Sequence, residues 1–221
     1  MNLATIEDAA RQAGLGLVGA FHPQAEDGVP EGIETLCLLG PDGPAMWEAF
    51  TGAPEHSDGQ PDPLDRWSSR VIDGLANAFG ATAFYPFGGP PWQPFQKWAT
   101  RGEGAVSSPV SMQVTSGRGL WASYRGALGF GVRLELPAKV NTSPCEGCHA
   151  PCLTTCPVSA FEGGGYDVPT CTRHIGSDPA MPCRSGCLVR KACPFGAAVE
   201  LPVEQRAFHI DAFLRANGGT G

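Results

Sequence analysis

Cys145-Glu146-Gly147-Cys148-His149-Ala150-Pro151-Cys152-Leu153-Thr154-Thr155-Cys156-Pro157 is the stretch on which the reading of this chain turns. A second group follows it: Cys171 stands alone, then Cys183, Cys187 and Cys193-Pro194. Eight of the nine cysteines therefore lie within residues 137–200, a segment with little hydrophobic periodicity. Such a segment cannot build a large apolar core by itself and needs staples. Thiolates at this density, on turning loops, are the ligand set of a metal centre.

The spacing narrows the metal. Three closely spaced cysteines on a loop supply three corners of a 4Fe–4S cubane, and a remote cysteine closes the fourth. In two-cluster ferredoxins the cysteine before proline ligates the other cluster, so the halves interlock. That rule puts Cys145, Cys148, Cys152 and Cys193 on one cluster, and Cys156, Cys171, Cys183 and Cys187 on the other. The usual C-x2-C-x2-C-x3-C-P run is stretched here by one residue, Ala150 or Pro151, and the second run is looser. Structural zinc also uses C-x2-C pairs, but two four-cysteine zinc sites do not explain two Cys-Pro terminators. Cys37 sits in the apolar run Thr35-Leu36-Cys37-Leu38-Leu39 and reads as a small core residue. His149 and His174 are placed to donate hydrogen bonds to cluster sulfur rather than to ligate.

Working outward, the composition is that of a globular chain, 42% hydrophobic and 17% charged, with 30 glycines and 21 prolines that imply many turns. A net charge of −7 gives no clustered Lys and Arg for a nucleic-acid partner and suits docking on a basic redox partner protein. The chain has no apolar run long enough to span a membrane. Met1 to Arg11 contains Glu7 and Asp8 and does not read as a signal peptide, so a cytoplasmic setting is expected. A reducing compartment argues for metal over disulfides.

Before the cysteines the pattern is that of a mixed sheet-and-helix domain. A helix is predicted over 5–13, with Thr5 and Asp8 as a capping box. Strands are predicted over 15–21, 33–39, 81–85, 110–115 and 127–136. Helices are predicted over 44–50, 64–79, 95–100 and 203–217, the second with Leu64, Trp67, Val71, Ile72, Leu75 and Phe79 on one face. Residues 55–63 and 86–92 read as loops. Composition changes at Pro137, giving a division into 1–136, 137–200 and a closing helix and tail at 201–221.

The cysteine order, together with Cys156-Pro157, Cys171-Thr172-Arg173-His174-Ile175 and Cys193-Pro194, resembles the iron–sulfur domain of epoxyqueuosine reductases and reductive dehalogenases. The first part resembles the CblC-type cobalamin-processing proteins. The stretches that carry this are 35–39 leading into Pro44-Ala45-Met46-Trp47, then Asp62-Pro63-Leu64-Asp65, Trp121-Ala122-Ser123-Tyr124-Arg125-Gly126 and Leu134-Glu135-Leu136-Pro137. The resemblance implies an α/β (α+β) fold: a nitroreductase-like, antiparallel-rich sheet with flanking helices, joined to a small bacterial-ferredoxin-like domain. It implies cobalamin as a further cofactor, with Arg125 beside the corrin and glutathione, and Trp121, Tyr124, Phe87 and Gly88 as further cofactor-binding residues. The chain has Phe87-Gly88 where that family tends to show a His-Pro pair. Plainer roles stand beside these: Trp121 and Tyr124 as core fillers, Arg125 paired with a carboxylate, and 86–91 as a turn.

Two functions follow from these readings. In one, the clusters relay single electrons to a cobalamin, which loses its upper ligand as in decyanation or dealkylation. In the other, the protein is an electron-transfer ferredoxin whose α/β domain docks a partner. A reductase of the epoxyqueuosine type is a weaker third, since no matching catalytic acid and no basic surface for tRNA are found.

Overall fold

The computed structural model describes residues 2–138, 142–162 and 165–218. The chain divides into two units, Met1–Ala105 with Ser123–Asn141, and Val106–Ala122 with Thr142–Gly221.

The first unit is built on β1 (Leu15–Phe21), β2 (Thr35–Pro41), β3 (Thr82–Phe84) and β6 (Gly126–Phe130), an antiparallel sheet in the order β1-β2-β6-β3. The class is mixed α/β with an antiparallel sheet, as the sequence pattern indicates. β2 lies inside the sheet, and Leu36, Cys37, Leu38 and Leu39 are each 0% exposed, which explains the unbroken apolar run there. α5 (Phe95–Gly102) brings Phe95 and Trp98 against Phe21, Leu36, Leu38 and Phe84. α4 (Pro63–Phe79) buries Leu64, Trp67, Ile72 and Leu75, and packs on β6 at Gly126. A Cβ at Gly126 would stand 2.6 Å from Ile72 Cδ1 and 2.8 Å from the Phe84 carbonyl, so glycine is what lets helix and strand close. α2 (Ala45–Thr51) adds Met46 and Phe50, whose ring meets Trp67 edge-on at 6.1 Å.

Several boundaries differ from the pattern reading. α1 runs Leu3–Gln12 and is capped by Asn2, whose Oδ1 accepts from the Thr5 N–H at 3.0 Å, so Thr5 is not the cap. The polar stretch 55–63 contains part of α3 (Pro54–Ser57), a short helix started by proline and tied to α4 by Arg70 Nε donating to Glu55 at 2.5 Å. β6 ends at Phe130 because residues beyond it pair with neither β2 nor β3.

The second unit has little regular structure. β4 (Val106–Ser107) and β5 (Gln113–Val114) form a hairpin closed by two hydrogen bonds, Ser111 N–H to Ser108 O at 2.9 Å and Ser108 N–H to Met112 O at 2.8 Å. The strand expected over 110–115 is thus turn through Met112 and strand only from Gln113. Val110, Val114 and Leu120 are buried with Cys152, Ala160, Phe161, Val189 and Cys193. A smaller core joins Ile175 of α6 (Val168–Ser177), Cys183 and Leu214 of α8 (Val203–Ala216). Residues 106–122 and 203–218 therefore belong with the cysteines, whereas composition alone divides the chain at Pro137 and 201. Composition sees a local change of residue types; it does not see that a hairpin upstream lends its valines to a distant loop.

Candidate metal centre

Local chain geometry places each sulfur. Cys145 and Cys148 lie on a turn closed by the Cys148 N–H bonding to the Cys145 carbonyl at 3.2 Å. Ala150 then takes a left-handed conformation, φ +48°, and turns the chain into a 3-10 turn, Pro151–Leu153, that carries Cys152. Ala150 and Pro151 are the two residues between which the stretch of the run falls. Cys171 projects from α6, started by Asp167, whose side chain accepts from the Thr170 N–H at 2.9 Å. Cys183 lies on a second 3-10 turn, Pro182–Ser185, and Cys187 precedes α7 (Leu188–Lys191). Cys193 precedes a third, Pro194–Gly196, started by its proline.

These turns sort the eight cysteines into two sets. Cys145, Cys148, Cys152 and Cys193 line one cavity, walled by Val114, Leu120, Pro144 and Phe195. Cys183 lies within electrostatic reach of Cys187, Cys171 and Cys156, and Cys171 within reach of Cys187 and Cys156. Each set draws a cysteine from the other half of the segment. Gly119 helps to place Cys193: its φ is +52°, and a Cβ there would stand 2.9 Å from Cys193 Sγ. Cys37 is remote from both sets, 0% exposed in β2, and burial pushes its thiol up to about 12.

Burial raises the thiols of Cys145, Cys152, Cys171 and Cys183, and the charges of neighbouring cysteines raise them further. Four thiolates gathered in one pocket repel one another; a positively charged core among them removes that cost. Donors to sulfur already surround them. The Ala150 N–H donates to Cys148 Sγ at 3.4 Å, and the Ala160 N–H to Cys156 Sγ at 3.3 Å. The Tyr166 hydroxyl lies near enough to Cys171 to favour its thiolate, and the Tyr166 ring stacks on Phe161 at 4.6 Å. Arg190 Nη1 donates to the Leu120 carbonyl at 2.7 Å, and its guanidinium lies 6.0 Å from the Trp121 ring centre. Burial pulls Arg190 below its usual value, while Cys187 and Tyr166 push it back up. Among the described residues no three of His, Cys, Asp and Glu converge closely enough to share one metal ion. A cubane asks less convergence, because each thiolate binds its own iron. An all-thiolate set with N–H donors to sulfur fits such a cluster.

Of the residues expected at a corrin, Phe87, Gly88, Tyr124 and Arg125 lie in the first unit and Trp121 in the second. Arg125 and Phe87 do meet, the guanidinium 5.4 Å from the ring centre. Arg125 also donates to Ser68 Oγ at 2.9 Å and pairs with Asp65. The Tyr124 hydroxyl donates to Glu103 at 2.5 Å, with its ring against the core under α5. Gly88 lies in the loop before the cis prolines 90 and 91, with φ +84°. Trp121 belongs to the other unit, where it packs on Gly196 and Arg190. Sequence reasoning passed over Tyr166 and Arg190; their signal is proximity, Tyr166 before Cys171 and Arg190 between Cys187 and Cys193.

No family model matches the chain, and no curated protein matches it. Among solved structures it is similar to a selenomethionine-labelled epoxyqueuosine reductase, with a TM-score of 0.51 and 12% identity over 92% of this chain and 68% of that one. The chain thus has a fold similar to that of an epoxyqueuosine reductase. Among the described residues no helix is long and apolar enough to cross a membrane.

Proposed function

We propose that the protein is an iron–sulfur redox protein that passes single electrons through two 4Fe–4S clusters. Cys145, Cys148, Cys152 and Cys193 would hold one, and Cys156, Cys171, Cys183 and Cys187 the other. The observation that carries this reading is the sorting of eight cysteines, scattered along the chain, into two sets of four that each cross the halves. The clusters supply reversible one-electron chemistry when bound. The chain's own residues hold the thiolates, donate hydrogen bonds to them from Ala150 and Ala160, and set the Tyr166 hydroxyl near Cys171 and the positive charge of Arg190 beside Cys187. The resemblance of 137–200 to the iron–sulfur domain of epoxyqueuosine reductases agrees with the fold likeness, but 12% identity carries no substrate with it. Electrons would be exchanged with a redox partner protein, and a reducing cytoplasm would keep the thiolates available.

A corrinoid acceptor is the second reading, favoured by the stacking of Arg125 on Phe87. The guanidinium is already held by Asp65 and Ser68, so it is not free to orient a corrin. No step through cobalamin or glutathione follows. Cobalamin added to anaerobic protein should leave its absorption unchanged; a base-on to base-off shift would establish the corrinoid reading instead.

The cluster reading is tested by analysis of anaerobically purified protein, which should contain about eight irons and eight acid-labile sulfides. Two zincs and no sulfide would overturn it. Spectroscopy of single variants tests the interlock: Cys193→Ala and Cys145→Ala should perturb the same cluster, and Cys156→Ala the other. Pairing of Cys156→Ala with Cys145→Ala would show local ligation.

A further inference from the structure

The hairpin of the second unit lies outside the cysteine segment, yet it places one polar group at the first set. Ser108 is 6% exposed, and it lines the same cavity as Cys145, Cys148, Cys152 and Cys193. Its Oγ is buried and, among the described residues, has no hydrogen-bond partner. A buried hydroxyl left unpaired costs about 1–3 kcal/mol, and native chains seldom keep one without a use. The position is rigid: the Ser108 N–H and carbonyl are both engaged in closing the hairpin. The neighbouring walls are Pro109, Val114, Leu120 and Phe195, whose side chains accept no hydrogen bond. No cysteine sulfur of the described residues accepts from it either, so the acceptor left to the hydroxyl is the inorganic sulfur of whatever core the four thiolates hold.

We infer that Ser108 Oγ–H donates a hydrogen bond to sulfur of the cluster held by Cys145, Cys148, Cys152 and Cys193, and so raises the reduction potential of that cluster alone. The inference rests on the cluster reading above. Reduction adds one negative charge to the cluster, and a donor aimed at sulfur stabilises the more negative state more. Ser108 is thus a tuning residue. It ligates nothing, and its removal leaves all eight thiolates in place. It makes the first cluster easier to reduce than its thiolates alone would allow.

The experiment is a redox titration of the full chain, loaded with iron and sulfide, with each cluster followed by its electron paramagnetic resonance signal. The signals are assigned with the Cys145→Ala and Cys156→Ala variants, and iron and sulfide are measured on every sample. Ser108→Ala should keep the wild-type iron content. At the potential that half-reduces the wild-type first cluster, its reduced-to-oxidised ratio should fall roughly fivefold, the factor that corresponds to the net strength of one ordinary hydrogen bond. The second cluster should titrate unchanged. Ser108→Thr, which keeps the hydroxyl, should restore the wild-type ratio. An unmoved first cluster in Ser108→Ala, an equal shift of both clusters, or Ser108→Thr behaving as Ser108→Ala would overturn the inference while leaving the clusters in place. Wild-type protein without iron and sulfide would instead overturn the cluster reading, and the inference with it. If Ser108→Ala lost its first cluster, Ser108→Thr with wild-type content and titration would still support the hydroxyl, and Ser108→Thr with the same loss would sink it.

Discussion

In β2 the residues from Leu36 to Leu39 are 0% exposed, flanked by β1 and β6 and covered by α5. Around the cysteines, by contrast, the larger core is eight buried residues, of which two are cysteines, with four more cysteines packed at its margin. The first unit hides apolar side chains behind hydrogen-bonded strands. The second closes short turns over sulfur. A sheet and its helices recover the entropy of ordering through burial. A loop-rich unit of this size recovers less, and depends on what its thiolates hold. The two units should therefore fail under different insults.

The largest expected effect is that of stripping iron under air or chelator. In hydrogen exchange, the described residues of 142–218 should lose most of their protection, while β1, β2 and β6 keep theirs. The hairpin 106–114 sharpens the comparison, because it should open together with the cysteines rather than with the sheet. Protection of the hairpin after iron loss would mean that the composition break at Pro137 is the true seam. Next in size, Trp67→Ala should destabilise the first unit by about 3–5 kcal/mol in urea unfolding, through the cavity left between α4 and Phe50. Its iron content should stay at the wild-type value; a parallel loss of iron would break the contrast. The smallest effect is at a helix end. Asn2→Ala should cost about 1 kcal/mol and raise exchange in the first turn of α1 alone, since it removes the acceptor for the Thr5 N–H.

What could be read from the sequence follows the same division. β1 was legible to the residue because Leu15 to Phe21 is a short apolar run between a glycine and polar residues. α4 was legible from its apolar stripe, which is the face it buries. α3 was not, since four residues carry no period and its anchor, Arg70, is supplied by a later helix. The end of β6 was not, because Arg133 to Leu136 looks like strand and only the lack of a paired neighbour stops it. At the candidate site the two Cys-Pro steps suggest that the two cysteine groups cross, and Cys193 shares a cavity with Cys145, Cys148 and Cys152. The Ser108 hydroxyl and the Arg190 guanidinium were not legible, because their distance from sulfur exists only after the turns have formed. Arg125 shows the reverse: a short motif suggested a cofactor, and the fold gives it Asp65 and Ser68.

The seam between the units has a consequence for synthesis. A ribosome makes the hairpin before β6, and makes β6 before any of the eight cysteines. Every strand of the sheet is therefore available once Phe130 has emerged, and the first unit can close while the rest of the message is still being read. The hairpin is then left waiting, with Val110 and Val114 uncovered, until Cys193 arrives some eighty residues later. A segment cut out at Thr142 for separate expression would begin without it, and would have to find another lid for its sulfurs.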